Sequence, residues 1–263
     1  MLGRIWAIAL NTFREAARIR VLYGILVLVV GANLMTLVLG QLAATTDEAR
    51  IARDVGLAGI SLFGSLTAIF LGVFLLYTEV QRRTIHAIVS KPIERWEFVV
   101  GKYAGMAIVL TILVGLFAVA MAGMLTWQGV GVSSAVVKAV VLAWFEVLTV
   151  ASIAIFFSSF STPFLSGIFA LAMWGLGRVT PDIEAAIAHG SPWIKTTARI
   201  ALEIVPDIHL FSPSGRIVEG ATVTVHGDFI TWGYVGLASL HALGWIVGLL
   251  AIACLLFQRR DFA

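Results

Sequence analysis

Two carboxylates draw attention first, because each stands in or beside an apolar run. Glu146 lies within the run at about 136–157, eight residues past Lys138. An ionisable side chain in a span is costly and normally faces protein or a water-filled cavity. With Asn33, the one strongly polar side chain of the run Val21–Gly40, it could line a translocation path, or it could carry a proton. The structural alternative, which is preferred, is a hydrogen bond to a neighbouring helix through Asn33 or Thr149. Glu79 opens the other feature, the charged stretch Glu79–Gly105, EVQRRTIHAIVSKPIERWEFVVGKYAG, set between the uncharged runs Val55–Thr78 and Tyr103–Val137. Ile85, Ile88 and Val89 fall on one face of a short helix, with Arg82, Arg83 and His86 around them. Lys91-Pro92 ends that helix, since a residue before proline is pushed out of the α region. Glu94–Phe98 begins another that feeds the next apolar run. Gly101 and Gly105 form a small-xxx-small pair, which lets membrane helices approach closely.

Several chemistries are missing. Gly101-Lys102 lacks the upstream glycine and following Ser/Thr of a phosphate-binding loop, so a nucleotide that drove this protein would be bound by another polypeptide. No H-E-x-x-H occurs, and Ser158, Ser159 and Ser161 have no nearby His/Asp partner. His189, His209 and His226 with Asp207 and Asp228 match no metal-ligand spacing, and the single cysteine, Cys254, excludes a cysteine-based metal site and an intrachain disulfide. A membrane-embedded transferase would need polar groups converging at one depth. The spans supply only Glu146, Asn33 and His241, the last read as a buried, hydrogen-bonded side chain.

The elements that hold these residues are membrane spans. The 263 residues are 60% hydrophobic and only 13% charged, with mean hydropathy +0.98, against about 25% charged in a soluble domain. A net charge of +3 carries no nucleic-acid signature. About 20 apolar residues cross a bilayer core, and six runs qualify, at Val21–Gly40, Val55–Thr78, about 98–126, 136–157, 163–179 and 230–257. Residues 41–56 are read as a short outer connection. Trp127–Gly131 and Ser158–Pro163 are turns by their glycine, serine and proline content.

Residues 2–20 form an amphipathic helix with Arg4, Asn11, Arg14, Glu15 and Arg18 on one face, suited to the membrane surface. The N-terminus has no cleavable-signal pattern. Residues 180–228 carry two short amphipathic helices, Ile183–Ala188 and Trp193–Val205, and a short extended piece at Ala221–His226. The termini and the central stretch hold 11 basic residues against 7 in the remaining segments. By the positive-inside rule they are cytoplasmic and 180–228 is external. Trp127, Trp193 and Trp232 fit an outer aromatic belt, and Trp96 an inner one.

The pattern Glu79, Arg83-Thr84-Ile85, Lys91-Pro92-Ile93-Glu94-Arg95, Glu97-Phe98 and Gly101-Lys102-Tyr103 resembles the ABC-2-type transporter permeases, most nearly the bacterial branch containing the nitrous-oxide-reductase maturation permease NosY and gliding-motility permeases. The return Phe157–Pro163, the segment Val205–Phe211 and the tail Leu256–Phe262 are similar at matching intervals. The resemblance covers nearly the whole chain as one transmembrane domain, 1–263. It implies an all-α protein of the bacterial inner membrane with six transmembrane helices and an N-terminal interface helix (1–20). A cytoplasmic coupling elbow (79–97) lies between spans two and three, and short external helices (180–228) lie between spans five and six. It implies a homodimer on two ATPase subunits that hold the ATP and Mg, with no cofactor in this chain. The ATPase-coupling residues would be Glu79, Arg82, Arg83, Thr84, Ile85, His86, Ile88, Lys91, Pro92 and Arg95. The basic cluster also suits anionic lipid. The function implied is ATP-driven transport in the export direction. The alternative is a non-transporting, force-transmitting subunit that acts on a periplasmic partner.

Overall fold

The computed structural model describes residues 2–19, 48–81, 94–129, 131–187, 202–212, 216–218, 221–223 and 231–258, with isolated positions at 27, 31, 193, 196 and 197. Seven α-helices carry these residues: α1 (Leu2–Ala17), α2 (Glu48–Gln81), α3 (Arg95–Trp127), α4 (Ser134–Ser158), α5 (Pro163–Arg178), α6 (Thr180–Ile187) and α7 (Trp232–Gln258). Four contain stretches long and apolar enough to cross a membrane: Arg53–Leu75, Arg95–Trp127, Ser134–Ser158 and Trp232–Gln258. The run Val21–Gly40 lies outside the described residues apart from Val27 and Gly31.

Helix α4 is the hub, with α2, α3, α5 and α7 all packed on it. Its seam with α2 is close because Gly64 and Gly72 stand where a Cβ would run into Val147 Cγ2 (2.6 Å) and Ala154 Cβ (2.5 Å). In lipid, helices gain no hydrophobic drive toward one another, so small residues that bring backbones together supply much of the association through dispersion. The turns obey their residues. Gly129 follows α3 with φ +75°, a region that favours glycine. Pro163 opens α5, where its missing N–H is no loss.

Three elements differ from expectation. Residues 48–54, read as part of an outer connection, are the first turns of α2. They contain no glycine or proline, and charge alone does not end a helix. Helix α5 has 16 residues, just below the usual length of a membrane span. It gives way at Val179 to α6, whose Pro181 lacks an N–H to continue the ladder. Beyond it, Arg216–Val218 pairs antiparallel with Ala221–Val223, Ile217 opposite Thr222. This small ribbon overlaps the expected extended piece, and the membrane body remains helical. The second short helix, Trp193–Val205, falls mostly outside the described residues.

The start of α3 and the end of α7 lie at one end of the bundle. Arg95 Nη1 donates to Gln258 O at 2.9 Å, and Phe98 stacks on Phe257 at 5.9 Å. At the other end, the 3₁₀ turn Ile208–Phe211 is wedged among helices, with Ile208 and Phe211 buried and Tyr234 OH donating to Leu210 O at 2.7 Å.

Candidate functional site

Two constellations stand out, one where α1 meets the start of α3 and one midway along α4. The first joins α1 to α3. Ala9, Thr12 and Ala16 recur at helical spacing and are fully buried. They face the first turns of α3, where a Cβ on Gly101 would fall 2.8 Å from Ile8 Cβ, and one on Gly105 would strike Ala9 O and Thr12 Cβ. The seam is closed by charge. Buried Lys102 donates to Glu15 Oε2 at 3.2 Å. Glu97, fully buried, accepts the Glu94 N–H at 3.2 Å in a capping box, and its Oε2 faces Arg4 Nη1 at 3.8 Å. Trp96 Nε1 donates to Glu94 Oε2. Arg4, Asn11, Arg14 and Arg18 stay exposed, as does Trp6.

A narrow face of α1 is therefore seated on protein, and Glu15 leaves the polar face to meet Lys102. Truncating a buried cation's partner is costly, so Lys102→Met and Glu15→Gln should couple. Each alone should destabilise the detergent-solubilised protein, and their double-mutant cycle should give about 1 kcal/mol of interaction. Strictly additive melting shifts would show that the pair contributes nothing.

The second constellation surrounds Glu146 on α4, which is fully buried. Ser61 of α2 donates to its Oε2 at 2.5 Å. Trp174 Nε1 and Arg178 Nη1, both from α5, donate to its Oε1 at 3.1 and 2.6 Å. Arg178 Nη1 also donates to Ser61 Oγ at 2.5 Å, closing a ring of three. The guanidinium lies over the Trp174 ring at 5.6 Å, and its Nη2 reaches Ser212 Oγ at 3.4 Å. Trp174 and Arg178 are one turn apart on α5, so one helix face supplies both donors. Both carboxylate oxygens are satisfied, and the charge is balanced within the protein.

The expected partners of Glu146 are replaced. Thr149 turns its hydroxyl back to Phe145 O at 2.9 Å, and Asn33 lies outside the described residues. Arg178 is one of the seven basic residues of the remaining segments, and neither Ser61 nor Trp174 stands out in the sequence. The available signal was a single buried-span carboxylate in need of a cation, with Arg178 the only Lys or Arg of the run 163–179. Of the coupling residues, Arg82, Arg83, Thr84, Ile85, His86, Ile88, Lys91 and Pro92 lie outside the described residues. Glu79 is in the last turn of α2, its side chain also outside them, and Arg95 is the exposed first residue of α3. His241 stacks edge-on against Trp245 at 6.4 Å, and its buried Nε2 has no hydrogen-bond partner among the described residues, unlike the bonded side chain expected. Among the described residues no group of three or more His, Cys, Asp or Glu side chains could hold a metal ion.

Long apolar helices, glycine-mediated seams and a buried, internally neutralised ion pair define a polytopic helical membrane protein. A family model of ABC-2 family transporter proteins matches residues 6–262, and the chain belongs to that family. It is thus the membrane permease component of an ABC transporter, a class whose membrane subunit is generally non-catalytic and works with an ABC ATPase. No curated protein matches the chain.

Proposed function

We propose that this chain is the permease of an ATP-driven exporter in the bacterial inner membrane, working as a homodimer on two separate ATPase subunits that hold the ATP and Mg. On this reading the chain crosses the membrane six times, with Val21–Gly40 as the first span and α5 as the fifth. Both termini are cytoplasmic, as the basic-residue asymmetry favours, and residues 180–228 are external. The kinship to the NosY and gliding-motility branch rests on the motifs of the central stretch.

The observation that carries the proposal is the α1–α3 joint. Helix α3 has 33 residues, about 50 Å at the helical rise and so longer than a bilayer core. Its extra turns begin at Arg95, directly after the charged elbow, and α1 is seated on those turns through Gly101 and Gly105. A push on residues 82–92 by an ATPase would enter α3 and α1 as one stiff body. Glu79, Arg82, Arg83, Thr84, Ile85, His86, Ile88, Lys91, Pro92 and Arg95 would form the coupling surface, while the exposed arginines of α1 meet lipid phosphates. ATP-driven movement requires partner contacts that differ between two states. Replacing Arg82, Arg83 and Ile85 with alanine should leave the permease folded while abolishing substrate-stimulated ATP hydrolysis by the purified complex. Unchanged assembly and coupling would remove the elbow's role.

One observation favours a second reading, a non-transporting subunit that relays force to a periplasmic partner. Residues 206–212 are wedged into the same bundle, with Ile208 and Phe211 buried, which ties the external segment mechanically to the helices. Substrate accumulation in sealed vesicles separates the two, since only a transporter produces it.

A further inference from the structure

Arg178 is bonded to two parts of the molecule that nothing else in the cluster unites. Its Nη1 holds Glu146 and Ser61, which belong to the close α2–α4 seam. Its Nη2 points to Ser212, directly after the wedged 3₁₀ turn. The residue before it reinforces this second attachment. A Cβ on Gly177 would strike Pro206 O and lie 2.6 Å from Ile208 Cγ1, so the wedge rests directly on the α5 backbone.

Within the single chain, helix α5 is less embedded than α2, α3, α4 and α7. Only Ser166, Ala170 and Gly177 are buried along its 16 residues, while Phe164, Leu165, Ile168, Phe169 and Leu171 are exposed. With little packing and no hydrophobic drive in lipid, its polar bonds decide where it sits. Those bonds are the Ser166 hydroxyl to Phe157 O at 3.1 Å near its start, and the Trp174 and Arg178 donors near its end. The grip on Glu146 is short and charged, whereas the bond to Ser212 is long and at the edge of hydrogen-bonding range. The bond to Ser212 is therefore the one that gives first when α5 shifts.

We propose that Arg178 is a latch that holds the wedge 206–212 closed against α5, and that the wedge is released when α5 moves during the transport cycle. The cyclic role rests on the permease reading; the latch itself does not.

The test uses the full chain in nanodiscs with its co-purifying ATPase. Cys254, the single cysteine, is replaced by serine, and Ile208→Cys serves as a reporter on the buried face of the wedge. Maleimide labelling of that cysteine should be slow. It should rise roughly tenfold with Ser212→Ala, or with Glu146→Gln and Arg178→Gln together, as loss of a hydrogen bond to a charged group predicts. The double substitution leaves no unpaired charge and so keeps the bundle assembled, checked by monodisperse elution. Trapping the complex with ATP and vanadate should raise labelling of the reporter chain as well. Parent-rate labelling in both variants overturns the latch. Labelling insensitive to nucleotide in a complex that hydrolyses ATP overturns its part in the cycle. If no ATPase co-purifies, the proposed assembly on separate ATPase subunits fails, while the comparison of variants still decides the latch.

Discussion

Glu146→Ala is expected to destabilise the permease by about 3–5 kcal/mol, the range for breaking a buried pair by removing one member. The size follows from what is left behind. Arg178 loses its anion, and Ser61 and Trp174 lose an acceptor inside a membrane bundle. No water is at hand to replace them, and an unsatisfied polar group there costs free energy of its own. Arg178→Ala should cost somewhat less, because Ser61 and Trp174 still solvate the carboxylate and Arg178 is partly exposed to begin with. Glu146→Gln with Arg178→Gln should recover most of the loss, since neutral amides can still exchange hydrogen bonds across the α2–α4–α5 junction. Melting in detergent, followed for the four proteins, checks the order. If Glu146→Ala melts within about 1 kcal/mol of the parent, the pair behaves like an exposed one, and the buried ring has no structural weight.

Hydropathy and turn residues located α3, α4 and α7 to within a few residues, because uninterrupted apolar runs in this chain are bounded by Gly, Pro and Ser. The same cue misplaced the start of α2. Nothing from Glu48 to Asp54 disfavours a helix, and their charge spoke only of solvent. Helix α5 was read as an ordinary span because its composition is apolar. Its shortness became visible only through the change at Val179 and the return of 206–208 onto Gly177. Glu146 stood out as a group that must be satisfied, but its partners lie 85 residues before it and 32 after it. No local period links such positions. Gly64 and Gly72 were likewise invisible, since an eight-residue spacing of glycines acquires meaning only once α4 is known to lie against them. Gly101 and Gly105 could be picked out as a pair, but not the helix they receive. The amphipathic pattern of α1 pointed to a membrane surface, while its buried stripe, Ala9, Thr12 and Ala16, is too small to register as hydrophobic patterning.

Gly105→Leu is expected to displace α1 from α3 and to uncouple the permease without disturbing the rest of its bundle. Two effects compete when a helical glycine gains a side chain. Helix propensity favours the change by about 1 kcal/mol, and overpacking opposes it by about 1–3 kcal/mol or more. At Gly115 and Gly123, also on α3, a Cβ meets nothing within 4 Å. Propensity should win there, so Gly115→Ala and Gly123→Ala serve as neutral or stabilising controls. At Gly101 the nearest atoms are Ile8 Cβ and Cγ2, both at 2.8 Å, with the Ile5 carbonyl at 3.2 Å; a Cβ moves only with its backbone, so alanine there should also cost stability, though less than at Gly105. At Gly105 the obstacle is the backbone carbonyl of Ala9, backed by Thr12, and no rotamer relieves it. Alanine should therefore already push the helices apart, and leucine should separate them. Separation would also pull Glu15 from Lys102, which is buried and left without its carboxylate. Amide hydrogen exchange should report this as a large loss of protection across α1, with protection across α4 retained. If α1 stays protected in Gly105→Leu, the close approach is not what seats it. If α1 is released yet substrate-stimulated ATP hydrolysis is unchanged, α1 is an anchor rather than part of the lever, and the force entering at the elbow must travel through α3 alone.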